Sequence, residues 1–145
     1  MPPKHPKTDG LGPWTERILP TQLERIRDAE HDVLLRLREL GYGDDCRFAV
    51  RLALEEALVN AMKHGNRMDQ SRCVHLAYRV LPERVEIHVT DEGDGFDPAK
   101  VPDPTADENL AKPSGRGIML MRCYMDEVAY AGDGRQVYMR RQRRA

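Results

Sequence analysis

Between Leu52 and Asn66 the chain reads LALEEALVNAMKHGN, and four of these side chains have the chemistry of a site. Glu56, Asn60, Lys63 and His64 stand at i, i+4, i+7 and i+8, so on a helix they share one face. A carboxylate there can orient or deprotonate a hydroxyl or a water. An amide oxygen suits a hard cation such as Mg²⁺. A solvated helix face has the same composition, so this stretch alone leaves both readings open. His64 has two open roles: orienting Glu56 or a phosphate, or serving as a favourable cation at the helix C-terminus. Lys63 is assigned to solvent or to contacts with a covering loop.

Two glycine-bearing turns add to this face. In DEGDG, residues 91–95, Asp91 offers an acceptor for an exocyclic amine such as that of adenine. Gly93 and Gly95 let backbone approach a flat base. In SGRG, residues 114–117, Gly115 and Gly117 expose N–H groups where a helix begins, a position that favours phosphate. Arg116 and Lys112 bring positive charge to the same place. Each turn alone is common; in this order, around a long loop, the three segments point to nucleotide binding. The chain has no GxxxxGK[ST] loop and no HRD or DFG set.

These residues need a scaffold, and the pattern supplies one. Trp14 to Leu19 reads as a first strand ending at Pro20. Thr21 and Glu24 form a capping box for a helix whose apolar stripe, Leu23, Ile26, Val33, Leu37 and Leu40, runs to Gly41. The central helix follows from Asp44, with Asp44 or Asp45 as its cap and Gly65-Asn66 as its stop. Leu54, Ala57, Leu58, Ala61 and Met62 are its core stripe. Val74, Leu76, Tyr78 and Val80, then Val85, Ile87 and Val89, alternate as two antiparallel strands around the turn Leu81–Arg84. Phe96 to Ser114 has four prolines and no periodicity, which marks a functional or disordered loop. A helix from Gly115 to about Met125 and a hairpin of Val128–Ala131 with Gln136–Arg140 close the chain. The order predicts an α+β fold: a two-layer α/β sandwich with helices on one face of a mostly antiparallel mixed sheet.

At 145 residues the chain suits one domain, residues 14–145, behind an extension over residues 1–13 that reads as disordered. Its net charge of −1 gives no nucleic-acid footprint, and the basic end, Arg140 to Arg144, reads as a solvated tail. Three cysteines without metal spacing predict reduced thiols. With no membrane-length apolar run and no signal peptide, a cytoplasmic protein is expected.

EEALVNAMKHGN resembles the N box of the GHKL (Bergerat-type) ATPases, the superfamily of gyrase, the heat-shock chaperone, histidine kinases and mismatch-repair ATPases. DEGDGFDP resembles its first glycine box and SGRGIMLM its second. The resemblance runs from Trp14 to Arg140. By size and by the sequence MDEV at Met125–Val128, the chain is most similar to the small bacterial anti-sigma factors that are also serine kinases. The resemblance implies a histidine-kinase-like ATPase fold and ATP with Mg²⁺ as cofactors. It implies a sigma factor and an anti-anti-sigma (STAS) protein as partners, the latter phosphorylated on a serine. It further implies a homodimer formed through the sheet side near the first strand. Glu56 would be the catalytic base, Asn60 the Mg²⁺ ligand and Asp91 the adenine anchor. Gly93, Gly95, Gly115 and Gly117 would shape the pocket, with residues 97–114 as its lid. His64, Phe96, Lys112, Arg116 and Ile118 complete the implied nucleotide contacts.

Two departures stand out. Pro113 occupies a position where kinase members carry an arginine, and Arg135-Gln136 lies where many relatives have a threonine. The alternative function is therefore a non-catalytic nucleotide-binding module that sequesters a sigma factor or another regulator. A detached histidine-kinase catalytic domain would need a phosphoacceptor histidine on a dimerising hairpin; His31 lies on a single short helix.

Overall fold

The computed structural model of the chain describes residues 11–93, 113–132 and 134–144, with residues 113–118 described by backbone alone. Strand β1, Thr15–Pro20, leads through a short 3₁₀ turn, Leu23–Arg25, into helix α1, Ile26–Glu39. Helix α2, Asp44–Asn60, continues without a break into a π-helical turn, Ala61–Gly65. Strands β2, Cys73–Val80, and β3, Arg84–Thr90, come next. Helix α3, Pro113–Tyr124, and strands β4, Glu127–Ala131, and β5, Gln136–Gln142, complete the described elements.

The strands form one sheet in the order β1-β2-β3-β5-β4, and all four described pairings are antiparallel. Register keeps Val74, Leu76, Tyr78, Val85, Ile87, Val89, Val137 and Met139 on one face, which the helices cover. α2 lies between α1 and α3, and its wide buried stripe follows from that. Cys46, Ala49, Val50, Ala53, Leu54, Ala57 and Leu58 are all buried, recurring at the three- and four-residue spacing of a helix face turned to the core.

The helix boundaries have local causes. Gly41, at φ +79°, ends α1 in a left-handed cap: its N–H reaches Arg38 O at 3.0 Å and the N–H of Tyr42 reaches Leu37 O at 3.0 Å. The motif brings the buried Tyr42 ring into the core beside Leu37. At the start of α2 the cap is Gly43, which offers no side-chain bond, while Asp44 and Asp45 sit in the first turn. There they favour the helix through its dipole instead of capping it. The expected capping box at Thr21 does not form either: neither Gln22 nor Arg25, at the two N-cap positions, makes a side-chain cap bond. Thr21 is fully buried and its hydroxyl donates to Arg72 O at 2.6 Å, so the tertiary partner displaces the local one. α3 begins at Pro113, with proline in its favoured first-turn place, so Pro113 and Ser114 belong to the helix rather than to the preceding loop.

The middle of the sheet face away from the helices is also covered, while Ile18 at its β1 edge is exposed. Arg79 and Glu86 form a buried ion pair at 2.9 Å, and Tyr138 donates to Glu86 at 2.9 Å. Trp14 lies over the Arg79 guanidinium at 4.4 Å, so the segment before β1 shields this pair. Among the described residues no helix is long and apolar enough to cross a membrane.

Candidate functional site

The candidate residues lie on three segments: Glu56 and Asn60 toward the end of α2, Asp91 just past β3 against Gly65, and Gly115 to Ile118 in α3. Glu56 and Asn60 are one turn apart near the end of α2, both half-buried. Directly after Asn60 the helix widens into the π turn, closed by Asn66 N–H to Ala61 O at 2.7 Å. Such widenings are uncommon and concentrate at functional positions. The chain then leaves through Arg67 and Met68, two consecutive non-glycine residues in the left-handed region at φ 53° and 58°. That conformation costs roughly 1 kcal/mol or more per residue, so neighbouring contacts must impose it.

Asn66 supplies those contacts. It is fully buried. Its amide donates to Thr21 Oγ1 and to Cys73 O, both at 3.0 Å, and its oxygen accepts the Glu92 N–H at 2.8 Å. One side chain thereby ties the π turn to the end of β1, the start of β2 and the segment leaving β3. Glu92 adds a second tie, taking the Cys73 N–H at 2.8 Å and contacting His75 Nε2 at 3.0 Å.

Asp91, just past β3, is held by the N–H it donates to Arg135 O at 2.9 Å and by the Gly93 N–H it accepts at 2.8 Å. Burial raises its carboxyl above the ordinary range, partly offset by the Gly93 bond and by the charges of Arg135 and Arg72. Its carboxyl rests against Gly65, and Gly93 rests against the Gly65 carbonyl. Gly65, Asp91 and Gly93 therefore form one interlocked contact between helix end and strand end. Glycine is required at 65 and 93 for close approach.

Burial raises Glu56 too; the neighbouring Glu55 charge adds to this and Lys63 opposes it. A carboxylate of raised basicity is suited to accepting a proton. Asn60 Oδ1 is buried and has no hydrogen-bond partner among the described residues. A buried carbonyl-type oxygen left unmade costs roughly 1–3 kcal/mol, which a bound cation or donor would recover. No group of three metal-ligating His, Cys, Asp or Glu side chains exists among the described residues. The Asn60 oxygen could hold Mg²⁺, which commonly takes one or two protein oxygens and completes its shell with phosphate and water.

His64 is exposed on the π turn. Gly95, Phe96 and Lys112 lie outside the described residues, as does the expected lid up to Lys112. Gly115 falls in the first turn of α3 and Gly117 just beyond it; Arg116 and Ile118 share this helix, which packs against α2. Gly65, Asn66 and Thr21 are the site-forming residues that sequence reasoning missed. A Gly-Asn pair ending a helix signals only a stop, and nothing local marks its asparagine as buried.

A family model for the histidine kinase-like ATPase domain matches residues 18–141. Among curated proteins the chain is 33% identical over 86 residues to the serine/threonine-protein kinase BtrW of Bordetella bronchiseptica, covering 58% of this chain and 61% of that protein. It is 33% identical over 98 residues to the serine-protein kinase RsbW of Bacillus licheniformis, covering 62% and 60%. It is 33% identical over 97 residues to RsbW of Bacillus subtilis, covering 61% and 59%. The chain thus spans about three fifths of the length of these relatives.

Proposed function

This chain belongs to the histidine kinase-like ATPase family, and from that premise we propose that it is an anti-sigma factor and a serine-protein kinase using ATP and Mg²⁺. Its substrate in this reading is an anti-anti-sigma (STAS) protein, and a sigma factor is the partner it sequesters. The names of its relatives, serine-protein kinases, support the activity. The observation that carries the proposal is the buried Asn60 Oδ1, unpartnered among the described residues and one helical turn after Glu56.

Asp91 would accept the exocyclic amine of adenine, its carboxyl already oriented by the Gly93 N–H. Asn60 would hold Mg²⁺, which when bound supplies positive charge against the phosphates. Ser114, Gly115 and Arg116 lie in the first turn of α3, where N–H groups have no helical acceptor and favour phosphate. Glu56 would accept the proton of the serine hydroxyl as its oxygen bonds to the γ-phosphorus; the bond from that phosphorus to the β–γ bridging oxygen breaks and ADP leaves. The raised basicity of Glu56 suits that role.

The proposal includes a homodimer through the β1 side of the sheet, supported by Ile18, 66% exposed on the edge strand. It also includes a soluble cytoplasmic location, which the lack of a membrane-length helix among the described residues is consistent with. One feature favours a second reading, a module that holds nucleotide and partner without transfer: α3 opens on Pro113, where kinase members carry an arginine.

Incubation with γ-labelled ATP, Mg²⁺ and the STAS partner separates the two. Label on a partner serine, lost in Glu56→Ala while nucleotide still binds, supports the kinase. Nucleotide binding without label in the natural pair supports the module.

A further inference from the structure

We propose that the groove between α1 and α2 is a docking surface for an acidic, apolar-anchored segment of a partner protein. It goes beyond the nucleotide site and does not depend on it. Phe48 stands twelve residues before Asn60, which is about 18 Å along the helix axis.

Both walls carry the same pattern. His31, Leu34, Leu35 and Arg38 on α1, and Asp44, Arg47, Phe48 and Arg51 on α2, each follow i, i+3, i+4, i+7 spacing and line one cavity of about 340 Å³. Its centre is apolar and open: Leu35 is 48% exposed and Phe48 53% exposed. The Phe48 ring also meets Tyr124 edge-on at 6.1 Å, which extends the apolar strip to the end of α3.

Its rim is basic. Three arginines face a single carboxylate, Asp44, in a chain whose net charge is −1, so this cluster runs against the whole. Asp44 is already paired with Arg47. Arg51 keeps half of its side chain exposed and touches Glu30 only at 3.7 Å. Arg38 is exposed and has no ion pair among the described residues. Guanidinium groups around an exposed leucine and phenylalanine complement carboxylates flanking apolar side chains. A concave groove accepts such side chains individually, where a bilayer would meet a flat or convex face.

The test uses the full chain and a fluorescent helical peptide of about twelve residues, with leucine at i, i+3, i+4 and i+7 and glutamate elsewhere. A second peptide carries lysine in place of each glutamate. Saturable binding of the acidic peptide alone, weakened about tenfold or more by Arg38→Glu and by Phe48→Ser, is the expected result. ATP affinity should be unchanged in both variants. Leu35→Ser replaces Phe48→Ser if the latter melts early. Absence of acidic-peptide binding, equal binding of both peptides, or undiminished binding to Arg38→Glu overturns the proposal. Vesicles of phosphatidylglycerol form the last arm: binding to them without binding to the peptide would assign the groove to a membrane instead and overturn the proposal.

Discussion

The Asp91 carboxylate fills the space that a side chain at Gly65 would need: a Cβ built on Gly65 lies 2.2 Å from Asp91 Oδ2 and 2.3 Å from Asp91 Cγ. A Cβ on Gly93 would lie 1.8 Å from Gly65 O. No rotamer change relieves the second contact, because it is to backbone. The π turn after α2 and the segment after β3 therefore meet with only the Asp91 side chain between them.

Gly65→Ala should displace Asp91. The expected outcome is weakened ATP binding with a modest loss of stability, about 1–3 kcal/mol, since overpacking is relieved by a shift of the segment after β3. Calorimetric titration with ATP, beside a urea melt, checks this. Wild-type affinity in a folded Gly65→Ala would mean that Asp91 position is irrelevant to the nucleotide.

Asn66→Ala removes three hydrogen bonds at once and leaves the Glu92 N–H and Cys73 O without their partner. Both groups are only part-buried, so each costs toward the lower end of about 1–3 kcal/mol and a loss of roughly 2–3 kcal/mol is expected. Thr21→Val, which removes one shared hydroxyl, should lose less. Equal and small effects of the two substitutions in chemical denaturation would contradict the bridging role.

Asp91→Asn keeps an oxygen able to accept the Gly93 N–H and removes a buried charge. The fold should therefore stand at least as well, while ATP binding weakens because half of the accepting carboxylate becomes a donor. Asn60→Ala should instead abolish the Mg²⁺ dependence of binding. Titrations with and without Mg²⁺ distinguish the two; a variant at position 60 that retains full Mg²⁺ dependence would refute the metal assignment.

Glu30 predicts a pH effect on stability. Its side chain is 8% exposed, and burial followed by the adjacent Glu55 pushes its carboxyl from 4.5 up to about 7, against a weaker pull from Arg51. Between those values the folded chain keeps a proton that the unfolded chain releases, so this group makes stability fall as pH rises through the window. Glu30→Gln should be nearly neutral at pH 5 and more stable than wild type at pH 8, by about 1–3 kcal/mol. Thermal melts at both values decide it, and equal shifts at the two would exclude the titration.

Much of the architecture was legible because its signals are local. Strand alternation and helical stripes repeat within a few residues, so β2, β3, β5 and the buried stripe of α2 could be read directly. Gly41 announced the end of α1 because a left-handed cap needs only its own residue and the turn before it. The three motifs that carry the family resemblance are also contiguous, and the family model matches across them.

Where local and distant partners compete, the sequence misleads. Thr21 and Glu24 have capping-box spacing, yet the hydroxyl belongs to Arg72 and Asn66, 51 and 45 residues away. Burial made that choice: a hydroxyl sealed in the core must bond what is beside it, whatever its neighbours in sequence offer. By itself, then, the sequence determined the elements, their order and the residue types of the candidate site. Only the tertiary structure decided that Gly65 must be glycine for Asp91 to fit and Gly93 for the Gly65 carbonyl, that Asn66 holds the corner together, and that Asn60 ends α2 with a buried oxygen unpartnered among the described residues. Those facts depend on atoms brought together across the chain, where close packing and hydrogen-bond satisfaction act and sequence periodicity carries no information.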